Sequence, residues 1–261
     1  MRIAIPTSTS KTQYYLNQAY VDYVEGAGYE PVMITPKNNI LEMAEWCHGL
    51  ILPGGIDIDP IFYNEDNYES VSVDPAKDDF ERQMFFAFVE LGKPIFGICR
   101  GLQLIAREYL LRVVEAHERL EFVQHIRHHA LASELAVGRD VRTHSVFVDK
   151  NVLYGEENPN YLRVFTNSMH HQCLFLNPSA KVKGKKKKAP SDLVVAGLRV
   201  LGYTRYGMEV KDKGHIVEAF DINGWVESPI IAVQWHPEEL KDYALIQNFF
   251  SQHADVMVAG G

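Results

Sequence analysis

Residues 94–103 read PIFGICRGLQ, and this stretch decides the fold. The apolar run from Pro94 to Ile98 stops at Cys99, and Gly101 lets the chain turn sharply into a following helix. Strand, tight turn and helix make a nucleophile elbow, which needs small residues on both sides of the nucleophile because the backbone doubles back on itself. Gly97 and Gly101 supply them. The Cys99 thiol then projects at the start of a helix, where unpaired N–H groups and the helix dipole favour thiolate over thiol. Read alone, the same pattern also fits a buried structural cysteine beside a turn.

Two further stretches change the balance. Residues 229–238 read PIIAVQWHPE: a second apolar run ends at Gln234, and Pro237 keeps His236 out of helical geometry. An extended His236-Pro237-Glu238 sets imidazole and carboxylate on one side, two residues apart. A carboxylate on one ring nitrogen fixes the tautomer and leaves the other nitrogen to take a proton from a thiol, so nucleophile, base and orienting acid are all available. Residues 52–60, LPGGIDIDP, follow a third apolar run. Two glycines directly after a strand can turn backbone amides toward a ligand. Acyl transfer needs donors aimed at the oxyanion, commonly the amide after the nucleophile and one from a neighbouring loop. Here these are the N–H groups of Arg100 and Gly55.

Around these motifs, residues 3–6, 31–34, 49–52 and 95–99 read as strands, and residues 13–27, 41–46, 78–91 and 240–253 as helices. Such alternation predicts a parallel α/β sheet, whose ligands sit at the carboxyl ends of the strands. Gly54, Cys99 and His236 all fall at such ends. Residues 53–76 form a loop long enough to suspect function. Asp78, Asp79 and Glu81 open a helix, where acidic residues are favourable for dipole reasons, and they read as structural. The second half is richer in strands, at residues 144–148, 193–200 and 216–220. A lysine-rich run over residues 181–188 reads as a solvated loop tip.

The chain has 261 residues, 46% of them hydrophobic, and a formal charge of −8. An acidic balance argues against nucleic acid as a partner. Three cysteines, an odd number, fit a reducing cytoplasm better than a disulfide framework. No leader-like apolar core follows Met1, and no apolar run reaches membrane-spanning length. His125 and His129 lie four apart with Glu121 a turn earlier, so on a helix they could share a metal. Nothing else marks a metal site, and none is expected. Arg127 and His128 are candidates to face a substrate carboxylate.

PGG, then GICRG-x-Q, then QWHPE, in that order, resemble a class I glutamine amidotransferase domain over most of the chain. PGGIDIDPIFY, DPAKDDFE at residues 74–81, NSMHHQ at residues 167–172 and GHIVEAFD at residues 214–221 are similar to the γ-glutamyl hydrolase branch, nearest to γ-glutamyl-γ-aminobutyrate hydrolases. The resemblance implies a flavodoxin-like α/β fold, an open, mostly parallel sheet flanked by helices with a strand-rich second half, in one domain over residues 1–261. It implies a Cys99-His236-Glu238 triad that hydrolyses a small-molecule γ-glutamyl amide through a thioester, without a cofactor. Gly54, Gln103, Ser168 and His170 are implied at the glutamyl group. The same family includes glutaminase subunits that feed a separate synthase, and idle binding proteins and homodimers fit the pattern too. One departure stands out. Members usually follow the elbow helix with a Gly-Gly-x-Leu-x-Gln stretch, whereas residues 107–115 here read REYLLRVVE. That predicts a reshaped pocket wall on the leaving-group side.

Overall fold

The computed structural model describes residues 1–63, 65–127, 129–157, 161–176, 194–195, 197–205 and 214–254. The lysine-rich run of residues 181–188 lies outside them. The first half alternates strand and helix: β1 (Arg2–Pro6), a ribbon of β2 (Ser8–Thr9) and β3 (Tyr14–Tyr15), α1 (Gln18–Gly26), β4 (Glu30–Ile34), α2 (Ile40–Trp46), β5 (Gly49–Leu52), α3 (Pro75–Glu90), β6 (Ile95–Ile98) and α4 (Arg100–Arg112). Then come β7 (Leu120–Val123), α5 (Leu131–Glu134), β8 (His144–Asp149), α6 (Lys150–Tyr154), β9 (Tyr161–Thr166), β10 (Cys173–Leu176), β11 (Val194–Val195), β12 (Leu198–Arg205) and β13 (His215–Ile222). The chain returns through β14 (Ile230–Val233), α7 (Pro237–Leu240) and α8 (Tyr243–Gln252).

The fold is α/β, with a large mixed sheet flanked by helices. Its parallel half runs β4-β1-β5-β6-β14, the flavodoxin-type order with the first strand second in line. Beyond β14 the strand-rich second half extends it antiparallel through β13, β12, β8 and β9. Both faces of the parallel half are covered, so its strands read as continuous apolar runs. Ile3 and Ile5 of β1 pack with Tyr23 of α1 and with Ile246 and Phe250 of α8. Ala4, between them, faces the other layer with Leu52, Phe85, Phe88 and Leu102.

Some elements differ from the sequence reading for local reasons. Residues 13–17 are not helical: Tyr14 and Tyr15 pair with Thr9 and Ser8, and the Asn17 side chain caps α1 by accepting from the Ala19 N–H. Residues 240–253 are two helices, divided at Lys241, whose φ of 54° ends α7. The strand expected over residues 193–200 is split into β11 and β12, and β7, β9 and β10 went unanticipated.

The elbow depends on two contacts no side chain could share. A Cβ on Gly101 would lie 2.2 Å from the Leu52 carbonyl oxygen, and one on Gly97 would lie 2.9 Å from the Gly101 carbonyl carbon. Gly101→Ala should therefore cost about 2 kcal/mol or more, because backbone must move. Gly92→Ala, at φ +65° with nothing nearby, should cost about 1 kcal/mol. Urea denaturation of both variants checks the ranking.

Candidate active site

Cys99 stands where β6 meets α4, with φ 50° and ψ −102°. A non-glycine residue in this region is strained and persists only where its surroundings over-determine it. They do so here. The Cys99 N–H donates to the Val233 carbonyl at 2.8 Å, and the Cys99 carbonyl accepts from the Gln103 N–H at 3.2 Å. The thiol is thus fixed between the sheet and the first turn of α4. The Arg100 N–H belongs to that turn, where amides have no intrahelical acceptor.

His236 follows β14, the sheet neighbour of β6, and caps α7. Its Nδ1 lies 2.6 Å from Glu238 Oε1. The pairing arises differently from the extended geometry expected. Pro237 occupies the first helical turn, so imidazole and carboxylate meet across a helix N-terminus. Asn167 locks His236 from outside: its Oδ1 accepts from the His236 N–H at 2.9 Å and its Nδ2 donates to the His236 carbonyl at 3.1 Å. A Cβ on Gly54 would lie 2.7 Å from His236 Cε1 and 3.4 Å from Cys99 Cβ, so glycine is what lets the three approach. Burial by itself depresses the His236 pKa, but Glu238 and the Cys99 side chain outweigh it and raise the value to about 10.

These groups open on a cleft of about 410 Å³. Gly54, Gly55, Cys99 and His236 line it, with Lys77, Arg139 and Asp74 supplying its charges. The Gly54 N–H is already committed to Tyr20 Oη at 2.8 Å. The Tyr20 phenol is pushed up in pKa by burial and by the nearby Glu238 charge, so it stays a neutral hydroxyl.

Other expected contacts fall elsewhere. Gln103 is buried beneath the elbow and donates to the Gln172 carbonyl at 3.2 Å. In NSMHHQ, Met169 faces the cleft. Ser168 and His170 point the opposite way, Ser168 Oγ to the His129 carbonyl and His170 Nδ1 to the Gln172 carbonyl. Residues 109–113 do not line the cleft either. Glu108, beside them, is fully buried; it ties α4 to α3 through Arg82 at 3.1 Å and gathers Arg107 and Arg112 of its own helix, each at 2.5 Å. That ionic clamp stands where the glycine pair was expected. His125 and His129 are not helical. Glu121 is on β7, His125 pairs with His171, and His128 lies outside the described residues.

The sequence reading missed Asn167, Tyr20 and Arg139. The acidic start of α3 also does more than answer a dipole. Asp78 and Glu81 are buried and both hold the Arg100 guanidinium, while Lys77 pairs with Glu81. Asp78 Oδ2 also accepts from the Asp59 N–H at 2.9 Å, which ties the glycine loop to the elbow helix.

A family model for peptidase C26 matches residues 4–238. The chain belongs to the peptidase C26 family. Membership assigns it to the hydrolases of glutamine amidotransferase-like type. The glutamine amidotransferase-like protein YvdE of Lactococcus lactis is 27% identical, over 86% of this chain and 80% of its own. The γ-glutamyl-γ-aminobutyrate hydrolase PuuD of Escherichia coli is 26% identical, over 90% of this chain and 83% of its own. The glutaminase domain of Trypanosoma brucei CTPS, solved with bound acivicin, shares the fold at a TM-score of 0.57 and 13% identity, covering 99% of this chain and 94% of that one. Among the described residues, no helix is long and apolar enough to cross a membrane.

A histidine whose pKa is raised on folding from 6.5 to about 10 stabilises the fold fully below about pH 6.5 and loses that contribution as pH rises through 10. The Tm advantage of the native chain over His236→Gln should therefore shrink steadily between pH 6.5 and 10. Thermal melts across that range check it, and a widening gap would contradict the assigned shift.

Proposed function

We propose that the protein is a cysteine-dependent hydrolase of γ-glutamyl amides, acting on a soluble small molecule in the cytoplasm. The observation that carries this reading is the strained Cys99 meeting the His236-Glu238 pair at the floor of one cleft. Cys99 attacks the γ-carbonyl. His236 holds the thiol proton and returns it to the leaving amine, while Glu238 fixes the ring and stabilises its cationic form. The N–H groups of Arg100 and Gly55 receive the oxyanion. Water, deprotonated by His236, then cleaves the γ-glutamyl thioester and frees glutamate. No cofactor enters these steps.

The charges of the cleft suit a zwitterionic substrate. Arg139 offers a cation to a carboxylate, and Asp74 offers an anion to an amino group. Arg139 is half-exposed and shared with Glu239 at 2.5 Å, so it can swing to a ligand at little cost. This replaces Arg127, which does not line the cleft, as the reader of an acidic leaving group.

Released glutamate, measured over a panel of γ-glutamyl amides with acidic, neutral and basic amines beside plain glutamine, tests the reading. Acidic amines should be preferred, and Arg139→Gln should raise their KM by about tenfold with little change in kcat. Cys99→Ala should abolish turnover, and Glu238→Gln should lose less than His236→Ala. Turnover of glutamine alone, and only beside a synthase, would replace the proposal with an ammonia-supplying subunit. Failure to cleave any γ-glutamyl amide while Cys99 remains reactive would refute the substrate class.

A further inference from the structure

Behind the cleft, on the far side of the segment that carries Asn167, lies a buried group of imidazoles around one carboxylate. Glu218 of β13 is fully buried. His144 Nε2 stands 3.0 Å from its Oε1 and His129 Nε2 stands 3.5 Å from the same oxygen. His170 packs edge-on against His129, with ring centroids 5.0 Å apart. One ligand atom each from His129, His170 and Glu218 lies within 4.8 Å of the other two.

We propose that His129, His170 and Glu218 form a binding site for one divalent transition-metal ion of the zinc type. Two imidazoles and a carboxylate are a ligand set that such ions accept, at bond lengths of about 2.0–2.2 Å. The tautomers are already arranged for it. His170 Nδ1 faces the Gln172 carbonyl at 2.9 Å, which makes Nδ1 the protonated nitrogen and leaves Nε2 with its lone pair. That Nε2 is buried without a hydrogen-bond partner, as is Glu218 Oε2. Two buried polar atoms left without partners are costly unless something satisfies them. The outer shell is in place as well. Thr166 Oγ1 lies 3.3 Å from His144 Nδ1, and a hydroxyl donated there leaves His144 Nε2–H to orient Glu218 Oε1. The side chains of His129 and His144 keep 11% and 9% of their exposure, which gives an ion a way in.

The site joins β13, the stretch before α5 and the segment of residues 167–172. Asn167 of that segment holds both backbone groups of His236. An ion here would stiffen the support of the catalytic base without touching substrate.

The test uses the full chain carrying Cys99→Ser, so that no active-site thiolate competes. Calorimetric titration of the metal-free protein with Zn²⁺ should show one ion per chain and a raised Tm. Co²⁺ should give the visible spectrum of a nitrogen- and oxygen-ligated ion with no thiolate charge transfer. Glu218→Gln and His170→Asn should each weaken binding by more than the about 10–100-fold typical of losing an outer-shell partner. His125→Asn, on the surface histidine pair, should leave binding unchanged. If the ligand variants fail to fold, the Co²⁺-loaded His125→Asn chain decides the matter by NMR, with paramagnetically shifted imidazole N–H signals expected from two rings. Absence of Zn²⁺ binding, absence of those signals, or binding lost in His125→Asn and kept in Glu218→Gln would overturn the proposal.

Discussion

The site rests on a steric constraint at the elbow. The main chain of Gly101 lies so close to the Leu52 carbonyl that no side chain fits between them, and Gly97 is as tightly placed against Gly101. This crossing forces the chain to reverse at Cys99, which takes up a φ of 50°. The strain is held by the ladder between β6 and β14 on one side and by the first turn of α4 on the other. Because β5, β6 and β14 are adjacent and parallel, their carboxyl ends deliver the glycine loop, the cysteine and the histidine to one place. Position in the sheet, more than any attraction among the three, brings them together.

Buried charge secures that arrangement. The Arg100 guanidinium lies between Asp78 and Glu81, and Asp78 reaches on to the Asp59 N–H. The elbow helix, the start of α3 and the glycine loop are therefore one ionic unit. A second unit, centred on Glu108, fixes the other end of α4. Such pairs add little net stability over a hydrophobic replacement, but losing one partner strands the other charge in the interior, at about 3–5 kcal/mol. Their effect is to hold the register of α4 against α3.

Much of this was legible in the sequence. An apolar run that ends at Cys99 between two glycines, and one that ends before His236-Pro237-Glu238, place the reactive groups at strand ends by local patterning alone. That these strands form a parallel sheet followed from the alternation of elements, and the flavodoxin-like arrangement from the family resemblance. What escaped reading depends on phase and on distance along the chain. In NSMHHQ, an irregular segment, no period shows which residues face the cleft, and Met169 does so while Ser168 and His170 turn away. Asn167, Tyr20 and Arg139 act through partners 69, 34 and 100 residues away, which no spacing rule connects. Tyr14 fits a helical stripe, and only the pairing of Tyr14 and Tyr15 with Thr9 and Ser8 overrides it. The acidic start of α3 matches a dipole rule so well that its burial against Arg100 is hidden.

In the proposed reaction Cys99 carries the glutamyl group between attack and hydrolysis. The most direct measurement is mass spectrometry of protein quenched in acid during the first turnover of a γ-glutamyl amide. An added γ-glutamyl group is expected on the peptide containing Cys99, released by hydroxylamine as a thioester is. Glutamate formation with no adduct on that peptide, or with the group on another residue, would contradict it.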